Sequence, residues 1–386
     1  MTGSTRMDAP VIVAARRTAI GSIGRGFARH TVDALAAPVL TAVAEAVAPA
    51  GVAIDDVVLG NTMGPGGDLA RVSALRAGLG HDVPGVTVDR QCGSGLDAVL
   101  QAASRVRAGD ARLVLAGGAE SASTAPWRYW PPVTGETGPT RRYERAPFAP
   151  EGMPDPEMGP AADDLAARFG VSRERQDAWA ARSHRLASAA RSAGRFDAEL
   201  VGVAGIDADD RPRATLDEAR LARFRPAFGP HGTVTAGNSC GNADGAAAMA
   251  VTSEAVRAEL GLPGLRIVAT AVAGGDPALP GIGAAPAIDR VLDRAGATVA
   301  DLGFVEITEA FAAQLLAVSD AVGLDEATIC ADGGAIALGH PWGASGALLL
   351  VRLTTRMHAS DDARLGLAAC SIGGGQGIAM LVEAVK

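Results

Sequence analysis

Apolar positions in this chain follow two periods in turn. Val11-Ile12-Val13-Ala14-Ala15, Asp56-Val57-Val58-Leu59-Gly60, Arg112-Leu113-Val114-Leu115-Ala116 and Leu265-Arg266-Ile267-Val268-Ala269 are short apolar runs that read as strands. Between them, Val32–Val47 places Leu35, Val39, Leu40 and Val43 on one helical face. Leu96, Val99, Leu100, Ala103 and Val106 repeat the same spacing up to a Gly109-Asp110 stop. Strands alternating with amphipathic helices predict a layered α/β fold. From about Ser121 to Asn238 the rhythm breaks. Trp127, Trp130, Pro131-Pro132 and a Pro/Gly/Arg-rich stretch to Gly159 read as irregular loop, followed by helical patterns at Ala161–Phe169 and Ser172–Ser192. This segment is expected to form a lobe over the core. A weak internal echo links Ala50-Gly51 and Asp56–Asn61 to Ala295-Gly296 and Asp301–Thr308, helix end then strand in each. A duplicated fold and the ordinary rhyme of an α/β chain both explain it.

Composition narrows the chemistry. The chain has 386 residues, a formal charge of −8 and no lysine- or arginine-rich run, a poor match to nucleic acid or an anionic membrane surface. Its only lysine is Lys386, which excludes Schiff-base chemistry on an interior Lys and a Walker-type phosphate loop. The four cysteines, Cys92, Cys240, Cys330 and Cys370, show neither a disulfide framework nor zinc spacing, so a reduced, cytoplasmic protein without a bound metal is expected. No apolar run approaches the roughly 20 residues that span a bilayer, and with Met1–Pro10 leading straight into the strand-like Val11–Ala15 no signal peptide is expected.

Five segments carry candidate chemistry. In Asp89-Arg90-Gln91-Cys92-Gly93-Ser94-Gly95-Leu96, a strand-like Gly85–Val88 leads in and an amphipathic helix leads out. Cys92 therefore stands near a helix N-terminus, where free N–H groups and the dipole are expected to lower a thiol pKa. Gly333–Gly346 is a Gly-rich loop presenting His340 between Gly339 and Pro341, the best-placed base for that thiol; the other five histidines read as surface residues. Ala368-Ala369-Cys370-Ser371-Ile372-Gly373-Gly374-Gly375 exposes backbone N–H groups suited to an oxyanion or, less well without a lysine, a phosphate. Thr308-Glu309-Ala310-Phe311 is a strand end turning into a helix, and Gly232–Gly245 leads into what reads as an Ala-rich helix.

Taken together, these segments resemble the thiolase family, in order and over nearly the whole chain. Gln91–Leu96 and Gly333–Pro341 are the most specific. The resemblance implies a duplicated, five-layered αβαβα fold with an inserted loop domain. The expected divisions are 1–120 for the N-terminal half, completed by 242–262, then 121–241 for the inserted CoA-binding lobe and 263–386 for the C-terminal half. It also implies a homodimer or homotetramer acting on the acyl-CoA esters of lipid metabolism. An acyl group would pass from a 3-ketoacyl-CoA through S-acyl-Cys92 to CoA, or the reverse Claisen condensation would run. CoA is then a substrate, with no permanently bound cofactor. His340 would activate Cys92 and help form a first oxyanion hole; the backbone N–H groups of Cys92 and Gly373 would form a second. Met158, Arg211, Phe228, Ala236, Cys240 and Phe311 fall where family members contact CoA.

The chain also departs from the family pattern. Thr308 replaces an Asn that holds an oxyanion-hole water, Glu157 replaces a His before Met-Gly, and Cys240 replaces a CoA-facing Ser. Ser371 occupies the position of the acid/base Cys, with Cys370 one residue earlier, so Ser371 is the residue expected at the site. On a strand that offset reverses the side chain, unless a bulge re-aims it. Two other readings stay open: a decarboxylative condensation that needs no α-proton base, and a weakly catalytic CoA-binding subunit.

Overall fold

The computed structural model describes residues 7–386 apart from 133, 136, 137 and 139; the reading of the first six residues lies outside the described part. A continuous sheet runs through the molecule, and its strand order displays the duplication. From one edge come Gly85–Val88, Asp56–Gly60, Leu113–Ser121, Ala243–Ser253 and Pro10–Thr18. Gly264–Gly274, Gln376–Val385, Leu365–Ile372 and Leu302–Ile307 then repeat that order in mirror sequence. Directions match as well. In the first half the two outer pairings are parallel and the two inner ones antiparallel. In the second, Leu302–Ile307 and Leu365–Ile372 pair parallel, the inner strands pair antiparallel, and a lone parallel bridge from Val305 to Ile329 stands for the missing outer strand. The echoing segments thus hold equivalent sheet positions, and the halves meet where Val11 and Ile12 pair with Arg266 and Leu265.

Three apolar cores separate the layers. The central one packs Leu96, Val99 and Val106 of the Ser94–Ala108 helix against Leu350, Val351 and Leu353 of the Trp342–His358 helix, between the two half-sheets. One outer core buries Leu35, Val39, Leu40 and Val43 of the Val32–Val47 helix, the face its periodicity predicted. The other buries Ile288 and Val291 of Ala284–Ala295 together with Leu315 and Leu316 of Ala312–Val322. Two half-sheets and three helical layers make the five expected. The inserted lobe contributes the Met158–Phe169 and Arg173–Ser192 helices and a small ribbon pairing Arg128–Trp130 with Arg141–Tyr143. Buried charges lock the lobe to both halves: Arg17 bonds Glu199 and Asp209 at 2.7 Å, and Arg352 bonds Glu199 and Asp332.

Two expectations are corrected. The Ala-rich run after Gly232–Asn242 is the Ala243–Ser253 strand, not a helix. Alanine favours helix, but this strand lies between two others with nearly every side chain buried, and pairing on both sides overrides that preference. A Cβ on neighbouring Gly117 would stand 2.0 Å from the Ala247 carbonyl oxygen. His184, expected on the surface, is buried in the lobe, where its Nδ1 accepts from the Arg213 N–H at 3.3 Å. Among the described residues no helix is long and apolar enough to cross a membrane, and no cluster of three His, Cys, Asp or Glu is placed to hold a metal.

Candidate active site

The nucleophile's turn is shaped by its own sequence. The Asp89 carboxylate accepts from the Gln91 N–H at 2.8 Å, and Gln91 takes a left-handed φ of 48°. The Ser94 hydroxyl donates to Gln91 O at 2.7 Å. A non-glycine residue in that conformation is strained, and the sharp bend it makes presents Cys92 just ahead of the helix. The far half meets it there. Gly343 opens the Trp342–His358 helix so closely that a Cβ on Gly118 would lie 2.0 Å from its carbonyl oxygen, and one on Gly95 2.8 Å. The two central helices therefore touch at their N-terminal ends, backbone to backbone. Cys92 and His340 each lie two residues before their helix.

His340 is fixed by its backbone N–H donating to Gly241 O at 2.9 Å and by Nδ1 against the Ser345 hydroxyl at 2.6 Å. Its Nε2 is buried without a hydrogen-bond partner among the described residues. Burial drives its pKa down to about 4, so the ring rests neutral. At Cys92, burial and the charges of Asp89 and Glu120 push the thiol up to about 11, against backbone N–H groups of Cys92 and Gly373 that pull it down. The expected helix-start thiolate is therefore corrected: desolvation outweighs the helix end, and the pair at rest is a thiol and a neutral imidazole. Two further thiols lie within electrostatic reach of Cys92. Burial, with a smaller contribution from coupling to Cys92, raises Cys240 and Cys370 to about 12.

Strand pleat sorts Cys370 from Ser371. Cys370 and Ile372 belong to the central core, Ile372 lies under Gly93, and Cys370 Sγ is 3.1 Å from the Thr308 hydroxyl. The Ser371 hydroxyl donates to Gly281 O at 2.7 Å and accepts from the Ala284 N–H at 3.1 Å, beside the outer helix layer. With its proton held by a carbonyl, Ser371 is not poised as a base, and its expected place at the site is corrected. No bulge interrupts its register with the Gln376–Val385 strand.

Family models decide the identity: a thiolase N-terminal domain matches residues 10–255 and a thiolase C-terminal domain residues 263–384. The chain belongs to the thiolase family. It is 42% identical over 391 residues to an acetyl-CoA acetyltransferase of Pseudomonas aeruginosa, covering 97% of this chain and 99% of that protein. An acetyl-CoA acetyltransferase of Allochromatium vinosum is 41% identical, covering 97% and 98%. The crystal structure of the Bacillus anthracis acetyl-CoA acetyltransferase superposes with a TM-score of 0.91 at 36% identity, over 99% of this chain and 100% of that one. This thiolase is an acyltransferase enzyme of the thiolase type.

The thiolase positions expected to meet CoA fall in two groups. The Phe228 ring lies flat over Gly159, next to Met158, and edge-on to Phe311 at 6.3 Å. Phe311 bridges to Ser239, beside Cys240, whose N–H donates to Ala310 O at 3.0 Å. Ala236 and Arg211 instead line a cavity of about 330 Å³ with Arg25, Arg213 and His184. Arg211 folds inward, donating to Ile336 O at 3.3 Å, with its pKa lowered by burial. Glu157 holds Arg145 at 3.2 Å; the Arg145 guanidinium covers the Phe148 ring, and that ring covers Gly373. Asp155, at 2.8 Å from Arg145, is the nearer anchor of this loop over the glycine turn, and the exposed Glu157 adds a second contact to the same guanidinium.

Two residues that the sequence reading passed over matter here. Ser345 orients His340, and the wholly buried Glu120 carboxylate accepts from Gly343 N–H at 3.0 Å. A lone acid closing the apolar run Leu113–Ser121 was the available signal for Glu120.

Proposed function

We propose that this thiolase cleaves 3-ketoacyl-CoA, with acetoacetyl-CoA the simplest substrate, by ping-pong transfer through S-acyl-Cys92, and runs the condensation in reverse. The observation that carries this reading is that Cys92 of the near half and His340 of the far half each stand two residues before helices whose N-terminal ends touch backbone to backbone at Gly95 and Gly343. In thiolysis, His340 Nε2 takes the Cys92 proton as the sulfur adds to the 3-keto carbon. The carbon–carbon bond then breaks, the departing enolate takes the Cys370 proton at its α-carbon, and acetyl-CoA leaves with Cys92 acylated and Cys370 a thiolate. CoA next gives its thiol proton to Cys370 and attacks the acyl carbon, and the released Cys92 sulfur takes its proton back from His340. The N–H groups of Cys92 and Gly373 suit the oxyanion of each tetrahedral intermediate. With Nε2 bare the ring proton is on Nδ1, which donates to the Ser345 hydroxyl in the neutral ring and in the imidazolium alike, so Ser345 holds His340 in place as base and, once Nε2 is protonated, as donor.

The proton that the enolate takes and that CoA gives up is assigned to Cys370 through Thr308. Cys370 Sγ lies 3.1 Å from the Thr308 hydroxyl, which gives the buried thiol a route for handing a proton on and taking one back. Met158, Phe228, Phe311 and Cys240 receive the pantetheine arm, while Arg211 and Ala236 face the cavity beyond. CoA acts as substrate, and the enzyme holds no resident cofactor. A homo-oligomer is supported by the Gly85–Val88 edge strand, its side chains half-buried, and by exposed Val72, Leu75, Trp127 and Trp130. With four free thiols, a cytoplasmic location fits. The experiment is thiolysis of acetoacetyl-CoA by CoA, followed by loss of ketoester absorbance. Wild type should turn over and Cys92→Ala should not; equal rates would overturn the reading. Malonyl-CoA with CO2 release as readout tests the decarboxylative route, for which no turnover is expected.

A further inference from the structure

We propose that Glu120 is the positioning residue that sets Cys92 against His340, one carboxylate gripping the nucleophile's turn and the start of the imidazole's helix together. The inference rests on the roles given above to those two residues. Oε1 accepts from Asn61 Nδ2 at 2.8 Å and from Met63 N–H at 3.2 Å. Oε2 accepts from Thr62 N–H at 3.1 Å and from Gly343 N–H at 3.0 Å. The Thr62 hydroxyl in turn donates to the carbonyl of Gln91, the residue before Cys92, at 3.4 Å. Gly343 follows His340 by three residues and sits in the first turn of a 17-residue helix, where an anion is favoured. All four groups on this carboxylate are N–H donors, so a carboxyl proton would find no acceptor among them. Burial raises its pKa to about 7, so above that pH Glu120 works as an anion, tying a loop of the first half to a helix of the second across the site.

The anion has a second consequence. Its charge, with that of Asp89, opposes ionisation of Cys92, while Cys240 and Cys370 are the other titratable groups coupled to the sulfur. Grip and charge can be separated. Glu120→Gln keeps the size but loses the charge and one acceptor oxygen. Glu120→Asp keeps the charge but draws back by one methylene, too short to hold both sides.

The experiment measures thiolysis and iodoacetamide alkylation of Cys92 from pH 7 to 9.5 in wild type and both variants. E120Q should alkylate about twofold faster than wild type at pH 8.5, a few tenths of a pKa unit, while kcat falls at least ~30-fold and KM for CoA changes less than about threefold. E120D should alkylate with the wild-type pH dependence yet lose kcat to a similar degree. Wild-type kcat in E120D, or wild-type kcat and alkylation in E120Q, would overturn the proposal. Should E120Q fail to melt cooperatively, E120D alone decides. Failure of the underlying reading looks different: wild type itself would then show no acyl adduct on Cys92.

Discussion

Replacing His340 with Ala removes the one base the structure offers Cys92, and the size of the loss follows from the thiol. With that thiol near 11, the thiolate fraction at pH 7.5 is ~3 × 10⁻⁴, so unassisted attack runs about 3,000-fold below a fully ionised sulfur. General-base catalysis typically supplies 10²–10⁴, and this requirement falls inside that range. His340→Ala should therefore lower kcat for thiolysis by about 10³ at pH 7.5. The residual rate should rise about tenfold per pH unit through pH 9.5, because hydroxide then does the ionising. Wild type should show no such slope over the same range, since an imidazole whose pKa is near 4 stays neutral, with Nε2 free to take the proton, throughout. The assay is ketoester absorbance loss with saturating CoA at half-unit pH steps. Retention of more than a tenth of wild-type activity, or a residual rate indifferent to pH, would refute the neutral thiol–imidazole account.

Other outcomes follow from the same coordinates. Cys370→Ala should cut thiolysis by at least ~30-fold, whereas Ser371→Ala, whose hydroxyl serves Gly281 and Ala284, should cost activity less than about threefold; steady-state kinetics of both separate the assignments. Gly118→Ala drives a methyl into the Gly343 carbonyl and should destabilise by about 3 kcal/mol in urea unfolding. Burial lowers His184 to about 4 from an unfolded 6.5, so as pH falls between those values the unfolded chain binds a proton the native state refuses and stability is lost. His340 acts the same way, while Glu120, raised to about 7, takes its proton first in the native state and offsets one of them. His184→Asn should then shrink the stability difference between pH 7.5 and 5 by about 1–2 kcal/mol, measured by urea titration at both values.

Local pattern carried the sequence reading where local physics decides. Leu35, Val39, Leu40 and Val43 share a face because helical spacing compels it, and each is buried. Cys92 and His340 were legible because glycines cleared their surroundings for close backbone approach, which the contacts of Gly95 and Gly118 with Gly343 display. Pairings across long separations were not. No window of sequence joins Arg17 to Glu199 or Glu120 to Gly343. Ala243–Ser253 failed for a related reason, since strand neighbours on both sides override the helical preference of alanine. The Cys370–Ser371 offset posed the question correctly but needed the pleat and the partners of both side chains to answer it. The thiol pKa was misjudged because a helix start is visible in sequence and the depth of burial is not.

The most direct measurement is mass spectrometry of the enzyme quenched after mixing with acetoacetyl-CoA in the absence of free CoA. One acetoacetyl-derived acetyl group should appear on the peptide carrying Cys92, vanish when CoA is added, and form about 10³ more slowly in His340→Ala. An enzyme that turns over while Cys92 stays unmodified, or that carries the acyl group on Cys240 or Cys370 instead, would contradict the account.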